Sequence, residues 1–243
     1  MVQAICPKCG LSKKLIQSHS IPKAFYDAQK SIYIPVGGTA KVARTVITGK
    51  HPILCSKCDQ RLGSELDKPA FEWVTKTHAL GALIADITLA RFLASVFWRA
   101  SQSEHNYYRS FLSPDHELAE LLKAATYDEM QTFQIASYDV RRIEENEVFS
   151  REELDSLILH PVVRPVDTNL NSSFISLRAV FGGCIWTMLW PKLTPRVSGL
   201  LHPDGHRCEL KTVRLEDDPE LSSFIVSTLE KFWRGEISHK LGR

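Results

Sequence analysis

Two pairs of cysteines constrain what this chain can fold into more than any other feature of its sequence. Cys6 is separated from Cys9 by two residues, as Cys55 is from Cys58, and 45 residues lie between the two pairs. A Cys-x-x-Cys turn supplies two thiolates from one short segment, and two such turns complete the tetrahedral ligand set that Zn²⁺ prefers. We therefore expect one structural zinc ion, held by these four cysteines.

Cysteine usage and the N-terminus together indicate the compartment. Six cysteines in 243 residues are too few for a disulfide scaffold, and tight pairs in a reducing compartment point to metal binding. The remaining two, Cys184 and Cys208, are interpreted as ordinary core or strand thiols. The first residues, MVQAICPKCG, lack the charged, apolar and small-residue regions of a secretory signal. We expect a cytoplasmic protein.

The longest apolar run, residues 78–100, raises the question of a membrane span. It contains Asp86, Arg91 and Arg99. A bilayer helix of about 20 residues rarely carries charges at that density. The run is interpreted as a buried core helix, and no membrane partner is expected.

Charge is distributed unevenly along the chain. Net charge is +2 overall, but residues 1–60 contain nine Lys/Arg against two Asp, a balance of +7 that leaves −5 for the other 183 residues. Because phosphate contacts are made mainly by Lys and Arg, a basic unit on a mildly acidic body is typical of a polyanion-binding module. The alternative is a solvated lysine surface with no partner.

A domain boundary is predicted at Asp67-Lys68-Pro69. There the basic, cysteine-containing stretch gives way to helical patterning, and proline disfavours helix for the residue before it. The chain is thereby divided into a small module, residues 1–68, and a larger α+β domain, residues 69–243.

Helix signals in the larger domain come from apolar periodicity and capping residues. One helix is predicted over residues 70–101, interrupted near residues 78–81, and a second begins at Ser113-Pro114 before HELAELLKAA. Ser150 opens a capping-box helix through about residue 159. A final helix is predicted from Asp218 to Gly235.

Strand signals alternate with these helices. Residues 131–140 alternate like a strand, and residues 174–190, split by Gly182-Gly183, predict one long bulged strand or two short ones. Pro203-Asp204-Gly205 predicts the turn of a hairpin.

Three segments of the small module resemble the HNH endonuclease family in its zinc-stabilised form. They are CPKCG, SHSIPKAFY and HPILCSKCDQRL, in that order, within about residues 6–66, a quarter of the chain. The resemblance implies a ββα-metal fold of the treble-clef type for this module. The expected fold class is therefore α+β, with an HNH-like zinc module followed by a larger α+β domain.

The resemblance also implies roles for single residues. His19 matches the general base that activates water, and Asp59 matches the ligand of a catalytic Mg²⁺ or Mn²⁺ ion. Ser18 stands where the family has an acid. It is expected either to contact the catalytic metal itself or to contact one of the metal's ligands. Lys50 stands where the family has a structural Asn, with His51 next to it.

The chemistry of the side chains is compatible with these roles. Neutral histidine, with an ordinary pKa of about 6.5, can take a proton from water at cellular pH, and carboxylates suit Mg²⁺ or Mn²⁺. Two simpler interpretations stay open. His19 could close a loop of the zinc module by hydrogen bonding, and Asp59 could be an acid stabilised by the dipole at a helix start.

Nucleic acid is the expected partner, DNA in preference to RNA. The candidate contact residues are Lys23, Lys50, His51 and Arg61. By resemblance, the chain is a metal-dependent endonuclease of antiviral defence or of a mobile element, and residues 69–243 select its target or bind a partner protein. The main alternative is a catalytically inactive zinc module that binds nucleic acid or a protein. A third hypothesis places the activity in residues 69–243.

Overall fold

The N-terminal part of the chain is built from short antiparallel strand pairs. The computed structural model describes residues 3–27, 32–36, 39–43, 50–80, 86–104, 108, 111–147, 149–167, 173–191, 211–219 and 221–223. Strand β1 (Ala4–Ile5) pairs with β2 (Ser12–Lys13), β3 (Leu15–Ser18) with β6 (His51–Cys55), and β4 (Ile32–Val36) with β5 (Thr39–Ala43). Helix α1 (Lys23–Asp27) follows β3.

A long helical segment leaves the last of these strands. Helix α2 (Ser56–Leu62) continues through a π-helical turn (Gly63–Asp67) into α3 (Lys68–Leu80). The widened turn ends two residues before Pro69, whose ring would otherwise press on the carbonyl one turn earlier. The helix therefore runs across the predicted boundary at residue 68, and the division of the chain into two domains stays a prediction.

The next helices form the buried centre of the larger part. Helix α4 (Asp86–Ser101) buries Phe92, Phe97 and Trp98 completely, which confirms the interpretation of the apolar run as a core helix. It packs against α5 (Glu117–Tyr127), which is followed by α6 (Glu129–Ile135). None of the helices described is both long and apolar enough to cross a membrane.

Two sequence predictions in this region are wrong. The cap of α5 is His116, whose Nδ1 accepts a hydrogen bond from the Leu118 N–H at 3.1 Å, and not Ser113. The strand predicted over residues 131–140 is helical in its first half, because Asp128 caps α6 by accepting from the Met130 N–H at 2.9 Å. Only the second half belongs to a strand, β7 (Ser137–Ile143).

A five-stranded sheet covers these helices. Its order is β11–β7–β10–β9–β8, with β8 (Leu159–Asp167), β9 (Ser173–Phe181), β10 (Cys184–Trp190) and β11 (Lys211–Val213). Neighbouring strands are antiparallel, except that β11 runs parallel to β7. The expectation of a mixed helix-and-sheet chain is confirmed, whereas the ββα-metal identity of the module stays a prediction.

Several local predictions for this sheet region are confirmed. Helix α7 (Arg151–Ser156) begins with the capping box of Ser150 and Glu153, although it ends at Ser156 and not near residue 159. Gly182 and Gly183 have φ of 59° and 66° and form the turn between two separate strands. The predicted hairpin turn at residues 203–205 and the end of the last helix at Gly235 lie outside the described residues.

One hydrophobic core joins the N-terminal elements to the rest of the chain. Phe25 of α1 packs edge-on against Phe71 of α3 and Phe181 of β9, with ring centroids 5.2 and 4.9 Å away. A Cβ placed on Gly182 would lie 2.8 Å from the Phe25 ring. The β9–β10 turn is thus seated directly on α1, the helix that follows the segment containing His19.

This contact predicts a large effect for Gly182→Ala. The residue would be forced into positive φ and against Phe25, so we expect a loss of about 2–4 kcal/mol in the free energy of unfolding, measured by urea titration. Gly63→Ala is the control, since Gly63 has helical φ and nothing lies within 4 Å of its added Cβ. It should leave stability unchanged or raise it by up to about 1 kcal/mol. Equal destabilisation by both variants would contradict this packing.

Candidate functional site

The four paired cysteines come together at the junction of β1, β6 and α2. Their sulfur atoms all lie within 4.8 Å of one another. Four thiolates at the usual Zn–S distance of about 2.3 Å are about 3.8 Å apart, so small adjustments bring this group to tetrahedral ligation. The cluster could therefore hold a metal ion such as zinc, as the spacing of the cysteines predicts.

Backbone geometry explains how the two pairs meet. The pairing of β3 with β6 sets Leu15 opposite Cys55, which carries the N-terminal turn to the start of α2. Within that turn, the Gly10 N–H donates to the Cys6 carbonyl at 2.8 Å, with Gly10 at φ 68°. The Cys55 N–H donates to the Cys6 sulfur at 3.4 Å.

The local polarity prepares these sulfurs for a cation. Burial raises the pKa of Cys6, but hydrogen bonds from the backbone N–H groups of Cys55, Cys9 and Lys8 outweigh it and lower this pKa to about 7. Burial and hydrogen bonds with Cys55 and Cys6 instead raise the pKa of Cys58. A coordinated thiol is deprotonated outright, so a divalent ion would overcome this difference.

His19 lies just after β3, and its ring is held neutral. Its pKa is lowered to about 4, first by burial and then by the positive charges of Lys50, Arg99 and Lys23, against the opposing effect of the Asp59 carboxylate. Its Nε2 is buried and has no hydrogen-bond partner among the described residues. The charges of Asp59, Lys23 and Lys50 thus all act on His19, and with a pKa of about 4 its ring is neutral at physiological pH.

Asp59 is placed in the first turn of α2, directly after Cys58. It is partly exposed, and its carboxylate makes no ion pair or hydrogen bond with any part of the chain that the structure describes. The helix dipole favours a negative charge at this position. Its oxygens are therefore available to a ligand, although the dipole alone would also accommodate them.

The other predicted site residues are placed less favourably for direct chemistry. Ser18 is buried, with its Oγ 3.5 Å from the Ile16 carbonyl, and it faces His51 in the β3–β6 ladder. His51 Nε2 lies 3.8 Å from a Glu104 carboxylate oxygen. Arg61 is exposed and pairs with Glu65, with 2.7 Å between Nε and Oε1. The structure therefore leaves Ser18 no exposed oxygen for a metal.

Sequence reasoning missed a buried ion pair behind the site. Arg99 of α4 donates to both carboxylate oxygens of Asp67 at 3.0 and 2.8 Å, and its Nε donates to the Ser95 carbonyl at 3.2 Å. Burial raises the pKa of Asp67, Arg99 opposes this, and Asp59 adds to it. Arg99 also acts on His19. The pair thus belongs to the electrostatic environment of His19 and Asp59.

A regular α-helical period would not place Asp67 on the side of the helix that carries Asp59. Residues eight apart in an α-helix are offset by about 80° around the axis. A five-residue turn removes most of that offset and brings Asp67 towards the side of Asp59. Such turns are frequent at functional sites, but only Pro69 hinted at this one in the sequence.

Comparison of the chain with protein-family models, with curated proteins and with solved structures finds no match in any of the three. What the chain does is therefore inferred from its own residues and their geometry.

Replacing one cysteine of the cluster should remove its metal. Cys55→Ser is expected to lower bound zinc from about one ion per chain to near zero and to destabilise the fold, because structural zinc sites need all four ligands. Elemental analysis after dialysis measures this. Cys184→Ser is the matched control, since Cys184 is buried in β10, outside the cluster. Metal retained by Cys55→Ser would show that the cluster is not the binding site.

The environment of His19 should be visible in its titration. We expect its Cε1–H resonance to titrate at about pH 4, against about 6.5 for an ordinary histidine. His19→Gln assigns the signal in the NMR spectrum. In the unfolded chain His19 binds a proton below about pH 6.5, whereas in the folded chain it does so only near pH 4. Its contribution to the free energy of unfolding is therefore fully present above about pH 6.5 and is lost as the pH falls towards about 4. A midpoint near 6.5 would contradict the environment described.

Proposed function

We propose that this chain hydrolyses phosphodiester bonds of nucleic acid, as an HNH-like, metal-dependent endonuclease. One observation carries the proposal. The neutral ring of His19, with an unpartnered buried nitrogen, lies within electrostatic reach of the unpartnered carboxylate of Asp59, at the start of the helix that the cysteine cluster anchors. This is the combination of a proton acceptor and a cation ligand that water-mediated phosphodiester hydrolysis needs.

His19 is the proposed general base. A ring with a pKa of about 4 is neutral at cellular pH and can accept a proton. Because its Nε2 is buried, the attacking water would have to enter the site with the substrate. A low pKa makes it a weaker base than an ordinary histidine. The positive charges of Lys50 and Lys23 that keep it neutral also favour an approaching phosphate.

Asp59 is the proposed ligand of the catalytic Mg²⁺ or Mn²⁺ ion. Mg²⁺ is commonly held by one or two carboxylates, several waters and substrate phosphates, so a single free carboxylate fits it. Such an ion would stabilise the charge that develops on the phosphate. Ser18 is too buried to serve beside Asp59, and its proposed part is limited to shaping the turn that presents His19.

The remaining parts of the chain have supporting roles in this proposal. Zinc in the cysteine cluster fixes the start of α2 and hence Asp59. Lys23, Lys50, His51 and Arg61 contact the nucleic-acid backbone, with DNA as the first substrate to test. Residues 69–243 select the target or bind a protein partner, in the setting of antiviral defence or a mobile element.

A second candidate function is a zinc module that binds nucleic acid without cleaving it. The burial of Ser18 favours this candidate, because it leaves Asp59 as the one predicted residue that could bind a catalytic ion near His19. In this case the cations near His19 would hold phosphate, and Asp59 would serve only the helix start.

Plasmid nicking separates the two functions. Zinc-loaded protein is expected to nick supercoiled plasmid in Mg²⁺ or Mn²⁺, and His19→Ala should slow nicking by about 10²–10⁴-fold, the usual contribution of a general base. Gel electrophoresis of the plasmid forms measures the rate. His116→Asn is the matched histidine control, because asparagine preserves the cap of α5, and it should nick at the wild-type rate.

The controls decide how a negative result is interpreted. Zinc content and urea unfolding of His19→Ala must match the wild type, so that a lost rate reflects lost chemistry. If wild-type protein binds plasmid but does not nick it in the presence of any divalent ion, the protein is a nucleic-acid-binding module and not a nuclease.

A further inference from the structure

A small pocket next to the cysteine cluster carries an arrangement of charges that the proposed chemistry does not use. It lies between the N-terminal turn, α2, and the facing parts of α4 and α5. Its walls include Lys8, Arg61, Arg91, Glu65 and Tyr127. Its volume is about 30 Å³, room for about two water-sized groups. That is the size of the two non-bridging oxygens of a phosphodiester.

Three positively charged side chains line this pocket, those of Lys8, Arg61 and Arg91. They differ in whether a carboxylate neutralises them. The Lys8 ammonium lies 3.2 Å from the centroid of the Tyr127 ring and pairs with no carboxylate among the described residues. Arg61 is held by Glu65 at the exposed surface, where ion pairs contribute little. Because Arg61 and Arg91 are paired with Glu65 and Glu129, the positive charge of this pocket that is free to attract an anion is that of Lys8.

Arg91 is the fixed member of this group. Its Nε donates to the Thr126 carbonyl at 3.2 Å and its Nη1 to Glu129 at 2.6 Å, which holds the guanidinium at the end of α5. Because its side chain is only 16% exposed, its charge is less screened than that of a surface arginine.

Tyr127 supplies a donor without a use in the fold. Its hydroxyl is buried and has no hydrogen-bond partner among the residues that the structure describes. Burial raises its pKa, so the group stays protonated and can donate. Leaving such a group unsatisfied costs free energy that a hydrogen bond to a ligand oxygen would recover.

We propose that this pocket binds a backbone phosphodiester of nucleic acid, with Lys8, Arg91 and the Tyr127 hydroxyl on its non-bridging oxygens. The identity of the ligand rests on the proposed function. The pocket lies beside the helix that carries Asp59, because Cys58 in its wall directly precedes that residue in α2. A strand held here would be a second point of attachment, one that positions the duplex and is not cleaved.

The two cysteine pairs provide a matched test. Lys8 and Lys57 each stand directly before the second cysteine of their pair, but Lys57 is exposed on α2 and is not part of the pocket. Lys8→Gln and Lys57→Gln are compared in a His19→Ala background, so that the DNA stays intact. Fluorescence anisotropy with a labelled duplex oligonucleotide gives the dissociation constant as a function of KCl concentration.

The Lys8→Gln variant is expected to bind the duplex about 5–10-fold more weakly near 0.1 M salt. Its plot of log K against log salt should also be less steep by about 0.9, which corresponds to the loss of one phosphate contact. Lys57→Gln should stay within about twofold of its parent. Equal slopes for the two variants, or no duplex binding by their parent, would overturn the proposal. A mononucleotide that competes as well as the duplex would also overturn it, since the ligand would then be a terminal phosphate.

Tyr127→Phe guards against a folding artefact. It keeps the ring under Lys8 and removes an unsatisfied buried hydroxyl, so urea unfolding should show stability that is unchanged or higher. Duplex affinity should nevertheless fall about threefold, and unchanged affinity would count against the pocket. Plasmid nicking with His19 intact is scored separately. If the protein fails to nick plasmid but Lys8→Gln lowers the salt dependence of binding and Lys57→Gln does not, the nuclease proposal is refuted and the phosphate pocket stands. If the protein nicks plasmid but the two variants show equal salt dependence, the pocket is refuted and the nuclease proposal stands.

Discussion

Contact between Cys6 and Cys55 joins segments that are 49 residues apart in the chain. Closing a loop of that length costs about 3–4 kcal/mol of chain entropy, whereas a zinc ion in a cysteine site would supply about 10–16 kcal/mol. The β3–β6 ladder has only four registered pairs and cannot compensate by itself. A metal ion in the cysteine cluster would therefore be the main contribution that holds β3, which leads to His19, beside the start of α2, which carries Asp59.

The larger part of the chain supports the same site from behind. Phe25 is packed between α3 and the sheet, and the β9–β10 turn has no room for a side chain against it. Arg99 reaches from α4 to Asp67 at the end of the π-helical turn. Residues beyond 68 thus fix the position of α1 and contribute charge near His19, so they belong to the surroundings of the site.

Local signals predicted local structure well, and tertiary contacts account for what they missed. The capping box at Ser150, the turn at Gly182-Gly183 and the cysteine pairs each depend on a few adjacent residues. The helix at residues 131–135 was missed because the Asp128 cap outweighs an alternating pattern, and His116 rather than Ser113 caps α5 because it lies one residue before the helix. The Asp67–Arg99 pair and the contact of Lys8 with Tyr127 join residues far apart in sequence, so no short window of residues contained them. The roles of His19 and Asp59 depend on a bound ion and substrate and stay predictions.

The balance of charge around His19 bears on the choice between its two interpretations. A histidine that closes a loop needs a partner for its ring, and one that pairs with a carboxylate has its pKa raised. Here the single carboxylate of Asp59 acts against burial and three positive charges, and the pKa falls. Nε2, moreover, has no partner in the described part of the chain. Both facts describe a ring kept neutral, and the second counts against a ring whose Nε2 closes a loop by a hydrogen bond.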